Sequence, residues 1–360
     1  MSGVWRLLGG PGSPYSLKLR AAFRHRRVPH LWMTPTGYLG SGGELAEAGK
    51  GMIPVLQAPE GGYLADSTPI LRTFERRFAG DGRSLAPPDP AAAFLAGLIE
   101  DFADEWLVYA MFDNRWSTDE EANFCARRQL SAWLGPMPAA AFDERVAAFS
   151  ARQRRARGVI CGDETNRPVW RETCARIEAL VERMLEARMF LFGARPSFGD
   201  FGLFGPLSQL AVDPTESAAM KARAPRCFQW VQSLDDLSGV EGEWAEDWPA
   251  ILPDLLRLIG ETHLAYSAAL ADLVEAGAPG TLRLRPFGMD FALEFEPRRD
   301  LKPKGLGPIY RLRSLGALKG EMAALPAEAR ARLDPLLQAT GCWEALQPRP
   351  GEDLSPLLPR

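Results

Sequence analysis

Apolar residues recur with two different periods along the first eighty positions of the chain. Two stretches with apolar residues at helical spacing predict helices, at 15–27 and 68–78. Short apolar runs predict strands, at 4–8, 30–34, 53–57 and 62–64. The resulting β-α-β…β-β-α order predicts a small mixed sheet covered by helices. A turn-rich segment rich in glycine and proline follows at 80–90, and we place a linker there.

The helical period then continues for well over a hundred residues. Its clearest start is Ser197-Phe198-Gly199-Asp200, because a serine followed three residues later by an acid forms a capping box that satisfies backbone N–H groups. We therefore interpret Ser197 and Asp200 as structural residues. The predicted helices of this part lie at 91–112, 118–134, 139–157, 169–188, 198–210, 225–234 and 249–275.

The last eighty-five residues have a different pattern. Two alternating runs, at 281–285 and 289–296, predict strands, and two helices are predicted after them, at 306–325 and 326–340. The chain thus divides into three parts: an α/β domain at 1–82, an all-helical domain at 91–275, and a small α+β extension at 276–360 whose role the sequence leaves open.

Composition narrows the class of protein. The formal net charge of −4 offers no basic face for nucleic acid, and no apolar run reaches the roughly 18 residues of a membrane span. The five cysteines are scattered without a CxxC pair, and the three histidines lack the spacing of metal ligands. These features predict a soluble cytoplasmic protein with no metal site and no nucleic-acid or membrane partner.

Three short segments of the first domain carry candidate chemistry: 13–20 (SPYSLKLR), 52–56 (MIPVL) and 66–70 (DSTPI). In the first, a serine stands where a predicted strand turns into a helix. In the second, a proline, which cannot donate a backbone hydrogen bond, precedes a predicted strand. In the third, an acid and a hydroxyl open a helix, whose free N–H groups and positive dipole end attract a carboxylate.

In this order, the three segments resemble the amino-terminal domain of glutathione S-transferases. The resemblance covers roughly residues 1–240 and implies a thioredoxin-like domain followed by an all-helical domain. The first segment matches the S-P-[FY]-x-x-[RK] form of serine-type members, with Lys18 where many members have arginine. The family role implied for Ser13 is to stabilise the glutathione thiolate. Ser16 and the Tyr15 hydroxyl remain alternatives to it.

The resemblance also implies how glutathione would be held. The Ile53 backbone, before a cis bond to Pro54, would pair with the cysteinyl part of the tripeptide. Ser67 and the helix start would bind the γ-glutamyl carboxylate, and Asp66, where the family usually has glutamate, would meet the ammonium group. Lys50 is a weaker candidate for the glycyl carboxylate, and a solvated loop lysine is the alternative.

The implied activity is attack of the glutathione thiolate on a hydrophobic electrophile, by an enzyme that is a homodimer in most of the family. An apolar acceptor pocket would lie between the domains, with aromatic candidates Trp106, Tyr109, Phe112 and Trp116. The alternative is that these residues belong to the core or to a dimer interface, which is more common for aromatic residues at this spacing. Two alternatives stay open: a non-catalytic binding or scaffold protein with the same fold, or a glutathione-dependent lyase or isomerase.

Overall fold

The amino-terminal part is built on a four-stranded mixed sheet. A computed structural model describes residues 3–35, 43–49, 51–78, 82–297 and 308–359. The strand order is β2-β1-β3-β4, with β1 parallel to β2 and antiparallel to β3, and β3 antiparallel to β4. The strands are β1 (Trp5–Leu8), β2 (His30–Met33), β3 (Val55–Gln57) and β4 (Tyr63–Ala65).

Among the described residues, three helices accompany this sheet. Helix α1 (Pro14–His25) connects the parallel strands, and α3 (Ser67–Arg77) follows β4, while the short α2 (Glu44–Glu47) has no counterpart in the predicted elements. The core between the sheet and these helices is aromatic, with Phe23 and Phe74 4.7 Å apart between ring centroids. The predicted thioredoxin-like fold class is confirmed.

The middle of the chain is helical, as predicted. Helix α9 is buried along its whole length and packs against both α1 and α4, so it joins the helical part to the first domain. The helices are α4 (Pro90–Phe102), α5 (Val108–Ser117), α6 (Asp119–Trp133), α7 (Ala139–Ile160), α8 (Arg167–Met184), α9 (Phe198–Leu210), α10 (Pro214–Arg223), α11 (Pro225–Leu234), α12 (Leu252–Ile259) and α13 (Ala265–Ala276). In the part of the chain that the structure describes, no helix is long and apolar enough to cross a membrane.

Two π-helical turns interrupt helices that the sequence pattern predicts as regular. One (Ala103–Leu107) joins α4 to α5 and the other (Gly260–Leu264) joins α12 to α13. A π turn inserts one extra residue and so rotates the side chains that follow it, and such turns are frequent at functional sites. The first of them contains Asp104 and Glu105, two buried acids at the site described below.

The carboxy-terminal extension packs on the helical part. It contains a hairpin of β5 (Gly280–Leu284) and β6 (Phe291–Phe295), then α14 (Pro308–Ala323) and α15 (Ala327–Ala339). Phe291 of the hairpin lies 5.6 Å from the Trp106 ring and 5.2 Å from the Trp170 ring. Helix α14 lies against α4 and α13, and α15 lies against α4. The extension therefore reaches the helix that carries the acids of the first π turn.

Candidate functional site

Ser13 lies at the amino-terminal end of α1. Its backbone is extended (φ −104°, ψ 118°), and its Oγ accepts a hydrogen bond from the Ser16 N–H at 3.2 Å, so it is the N-cap. Pro14 then begins the helix with a φ angle that suits the first turn. Since the Oγ accepts from the backbone, its own hydrogen remains available as a donor to a ligand. Ser13 is half-buried.

The two alternatives to Ser13 are differently placed. The Tyr15 hydroxyl donates to the backbone carbonyl of Asp104 at 2.9 Å, and burial raises the pKa of Tyr15 well above its ordinary value. The Ser16 side chain is fully buried inside the first domain. The Tyr15 hydroxyl is thus already donating and the Ser16 hydroxyl is buried, whereas Ser13 is a half-buried helix cap.

The other two segments meet at a second, small space, which we call the anchor pocket. Ile53, Pro54, Asp66 and Ser67 all border it, together with Tyr310 of the extension. The Ile53–Pro54 peptide bond is cis, as the resemblance implied. Lys50, the candidate for the glycyl carboxylate, lies outside the residues that the structure describes.

Asp66 has an unusual backbone conformation at the start of α3. Its φ of 85° lies in the left-handed region, which a residue other than glycine adopts at a cost of about 1–3 kcal/mol. Such strain is typical of sites where the surrounding structure holds a residue for a function. Ser67 follows as the first helical residue and is buried at 4% exposure. The free N–H groups of the α3 start are thus presented beside an acid.

A larger cleft adjoins the anchor pocket along Tyr15, Met52 and Ile53. We call it the Ser13 cleft. It holds about 230 Å³, and its walls include Ser13 and the aromatic residues Tyr109, Phe112, Trp116 and Trp133. Of the four aromatic residues predicted for an acceptor pocket, Tyr109, Phe112 and Trp116 border the cleft. The prediction for Trp106 was wrong.

Trp106 lies instead in the helical core. Its exposure is 0%, its ring centroid is 4.6 Å from that of Trp170, and its Nε1 donates to Thr173 Oγ1 at 3.3 Å. It belongs to the π turn, whereas Tyr109 and Phe112 belong to α5. A regular helical period through 91–112 contains no sign of that turn.

Residues of the helical part hold the loop that leads to Ser13, and the sequence offered no sign of them. Arg115 donates to the Gly12 carbonyl at 2.9 Å, and Arg128 donates to the Pro11 carbonyl at 3.0 Å. Arg115 also forms a buried ion pair with Asp213, with Nε and Oδ2 2.8 Å apart. These contacts set the position of the Ser13 hydroxyl from outside its own domain.

A buried ionic cluster lies beneath the anchor pocket. Lys18 Nζ is 2.6 Å from Glu100 Oε1 and 2.5 Å from Asp104 Oδ2, and it donates to Thr68 Oγ1 at 3.0 Å. Burial opposes the charge on Lys18, but the carboxylates of Asp104 and Glu100 outweigh it and raise the lysine pKa. Because Thr68 belongs to the first turn of α3, the cluster ties that turn to α1 and to the π turn.

The extension contributes two residues to the site. Tyr310 borders the anchor pocket together with Asp66, and burial with the nearby carboxylates of Asp66 and Glu105 raises the pKa of Tyr310, so the hydroxyl keeps its proton. The next residue, Arg311, is 2% exposed and donates to the Glu105 carbonyl. Its guanidinium lies 4.6 Å from the centroid of the Tyr109 ring. Helix α14 thus touches both the anchor pocket and a wall of the Ser13 cleft.

The fold is that of a thioredoxin-like domain joined to a helical domain, with a half-buried helix-capping serine beside a cis-proline loop. Two family models match the chain: the glutathione S-transferase N-terminal domain over residues 7–82, and the glutathione S-transferase C-terminal domain over residues 140–233. The chain therefore contains the N-terminal and C-terminal domains of the glutathione S-transferase family. Residues 234–360, which include Tyr310 and Arg311, follow both matched regions.

The solved structures that match the chain are distant in sequence. A glutathione S-transferase from Methylobacterium radiotolerans, crystallised with glutathione sulfonate, is 23% identical over 64% of this chain and 90% of its own, with a TM-score of 0.40. The β-etherase LigF from a Sphingobium species is 17% identical over 65% and 95%, with a TM-score of 0.44. FzlA from C. crescentus is 22% identical over 70% and 99%, with a TM-score of 0.38. No curated protein matches the chain in sequence.

Proposed function

We propose that this protein is a serine-type glutathione transferase that activates the glutathione thiol for attack on a hydrophobic electrophile. The observation that carries the proposal is the position of Ser13, whose hydroxyl caps α1 and borders a cleft walled by aromatic side chains. In this proposal, residues 1–82 bind glutathione, residues 91–275 supply the acceptor pocket, and residues 276–360 form an extension. The family further implies a homodimer, which light scattering of the purified protein would test.

The proposed chemistry is stabilisation of an anion. A free thiol with a pKa of about 8.5 is only a few per cent ionised at pH 7. Lowering that pKa by about two units requires about 2.7 kcal/mol of preferential stabilisation of the thiolate. The Ser13 hydroxyl supplies a hydrogen bond to the sulfur, and the amino-terminal end of α1 supplies positive potential. The thiolate then forms a bond to an electrophilic carbon, and the leaving group departs with its electron pair.

The anchor pocket would hold the tripeptide in the productive orientation. Ser67 and the N–H groups at the start of α3 suit the γ-glutamyl carboxylate, and Asp66 suits the ammonium. The backbone of Ile53, beside Pro54, suits the cysteinyl unit. Lys50 is proposed for the glycyl carboxylate from its sequence position alone. Holding the thiolate beside the acceptor turns a bimolecular reaction into one between neighbouring groups.

Two serine variants test the proposal. Ser13→Ala should raise the pKa of bound glutathione, followed by thiolate absorbance against pH, and should lower kcat/KM for an activated aryl halide by at least about tenfold, the loss expected for one hydrogen bond to a charged group. Ser16→Ala is the matched control, because the Ser16 side chain is buried away from both spaces. The proposal is wrong if glutathione does not bind by calorimetry, or if the two variants behave alike.

A second candidate function is binding without catalysis. The observation that favours it is the carboxy-terminal extension, which lies beyond both matched family domains and borders the anchor pocket through Tyr310. If glutathione binds and no conjugation, elimination or isomerisation is detected over a broad panel of electrophiles, this candidate replaces the first.

A further inference from the structure

The walls of the Ser13 cleft are mainly apolar and aromatic, with a few polar side chains among them. Two of these polar groups already have partners within the protein. The Tyr15 hydroxyl donates to a backbone carbonyl, and the Arg115 guanidinium is paired with Asp213. Gln129 differs from them, because its side-chain amide forms no hydrogen bond with any residue that the structure describes.

Gln129 belongs to α6, and its side chain is almost entirely buried at 5% exposure. A buried amide without a hydrogen-bond partner costs free energy, so most buried amides have one. Both amide atoms of Gln129 nevertheless keep contact with open space, since neither is one of the fully enclosed polar atoms that lack a partner. The open space that Gln129 borders is the Ser13 cleft. The amide is therefore available to a ligand in that cleft.

The loop before Ser13 makes room for the Gln129 side chain. A Cβ atom at position 12 would lie 2.3 Å from Gln129 Cγ and 3.2 Å from Gln129 Oε1, whereas carbon atoms in contact lie about 3.5–4.0 Å apart. Because Gly12 has no Cβ, Gln129 packs directly against the residue that precedes Ser13. The Gln129 amide and the Ser13 hydroxyl therefore adjoin along one wall of the cleft.

The other walls of the cleft indicate which group the Gln129 amide would bind. Among the wall residues that the structure describes, the charged one is Arg115, and Asp213 balances its charge. An ionised substituent would therefore lose its hydration in the cleft without compensation. A neutral carbonyl oxygen suits the amide N–H donors instead. The aromatic walls suit a planar ring, since aromatic rings stack on one another.

We infer that Gln129 selects, as the electrophile of the proposed reaction, an aromatic compound that carries a neutral carbonyl substituent. The inference rests on the proposed function, because it takes the Ser13 cleft as the acceptor pocket. The Gln129 amide donates a hydrogen bond to the carbonyl oxygen and so holds the electrophile beside the thiolate. The sulfur forms a bond to the electrophilic carbon, the leaving group departs with the electron pair of the broken bond, and the thiol proton passes to solvent. An analogue without the oxygen leaves the buried amide unpaired, which is how such sites discriminate.

The experiment uses two benzyl chlorides of nearly the same shape. In 4-acetylbenzyl chloride the substituent is a carbonyl, and in 4-isopropenylbenzyl chloride a CH₂ group replaces the oxygen. The kcat/KM for each probe is divided by its rate constant with glutathione alone, which removes the difference in intrinsic reactivity. The ratio of the two quotients is the carbonyl preference. Calorimetric Kd values for the two S-benzyl conjugates of glutathione give the same comparison without turnover.

Four variants are compared with the unaltered protein. Gln129→Met removes the amide and keeps the length of the side chain, and Gln129→Asn withdraws the amide by one carbon atom. Gln153→Met makes the first change at a half-buried glutamine that also borders the cleft. Gln229→Met, at an exposed position of α11, is the matched control. Circular dichroism checks the fold of each variant.

If Gln129 binds the carbonyl, the unaltered protein shows a carbonyl preference of about fivefold or more, as expected for one neutral hydrogen bond. In Gln129→Met the preference falls to about one, because the acetyl probe loses kcat/KM while the isopropenyl probe does not. Gln129→Asn also lowers the preference and gives the answer if Gln129→Met does not fold. Gln153→Met loses less than half of the preference, since water replaces a half-buried amide, and Gln229→Met keeps all of it.

Failure of the inference is distinguishable from failure of the proposed function. If both probes are conjugated and the Gln129 variants keep the carbonyl preference, or Gln153→Met loses it instead, the inference is wrong and the proposed function stands. If neither probe is conjugated by any of the proteins, the proposed function fails, and the Kd values of the two conjugates decide the inference. A carbonyl preference in Kd that disappears in Gln129→Met supports it, and equal Kd values overturn it.

Discussion

Arg115 provides the sharpest test of how the helical part controls Ser13. Its guanidinium contacts the Asp213 carboxylate twice, with Nε to Oδ2 at 2.8 Å and Nη2 to Oδ1 at 3.1 Å. It also donates to the Gly12 carbonyl at 2.9 Å and to Gln209 Oε1 at 2.8 Å. The side chains of Arg115 and Asp213 are 3% and 1% exposed. Arg115→Met therefore leaves a buried carboxylate without its counter-charge and releases the loop before Ser13.

The size of the expected loss in stability follows from that burial. Removing one partner of a buried ion pair destabilises a protein by about 3–5 kcal/mol. Unfolding entropy amounts to about 2.1 cal/mol/K per residue, so the total unfolding entropy of a chain of 360 residues is about 0.76 kcal/mol/K. Arg115→Met should then lower the melting temperature by about 4–7 °C. Because Gly12 loses its donor, kcat/KM for an aryl halide should also fall, in the same direction as for Ser13→Ala.

Calorimetric melting of two further variants gives the control. Arg127→Met removes an exposed pair, since Arg127 and Asp143 are 44% and 56% exposed, and it should cost at most about 1 kcal/mol. The double variant Arg115→Met with Asp213→Leu removes both buried charges and should melt closer to the unaltered protein than Arg115→Met alone. The reasoning is refuted if Arg115→Met melts no lower than Arg127→Met, or if the double variant is the least stable of the three.

Two further predictions concern pH and helix capping. Burial, reinforced by nearby arginines, lowers the pKa of His25 from 6.5 to about 4. The unfolded chain therefore takes up this proton at a higher pH than the folded protein does. About 3 kcal/mol of stability, present above pH 6.5, is lost as the pH falls to 4. His25→Asn should reduce the fall in melting temperature between pH 7 and pH 4.5, and an unchanged fall contradicts the assignment. Asp200 accepts hydrogen bonds from the N–H groups of Leu191 and Ser197 at 2.9 and 2.8 Å. Asp200→Ala should therefore lower the free energy of unfolding by at least about 2 kcal/mol, more than the loss of about 1 kcal/mol expected for Ser197→Ala. Equal melting temperatures for the two variants would show that the capping box is not what holds α9.

Local patterns account for the parts of the fold that sequence reasoning predicted well. Strand and helix periods depend on neighbours within a few residues, so the four-stranded sheet and the helical middle were predictable. The capping box at Ser197 is equally local, and the structure has α9 begin at Phe198. The π turns were not predictable, because a single extra residue within a helix leaves the apolar period almost unchanged.

The candidate site likewise has residues that the sequence could predict and residues that it could not. Ser13, Pro54, Asp66 and Ser67 could be named from sequence because each belongs to a short segment at a strand or helix end, where backbone groups are free. Their role in holding or activating glutathione remains a prediction. The residues that surround them could not be named. Arg115 lies 103 positions from Gly12 in the sequence, and neither segment carries a sign of the other.

The amino-acid sequence alone determined the secondary elements and the three segments that hold the candidate chemistry, because hydrophobic period, helix capping and proline geometry act over a few residues. Only the tertiary structure decided how open that site is. Tyr310 borders the anchor pocket with Asp66 because the extension packs on α4, and that packing depends on buried surfaces brought together from distant parts of the chain. The sequence pattern thus predicts a place for glutathione, while packing determines which side chains enclose it.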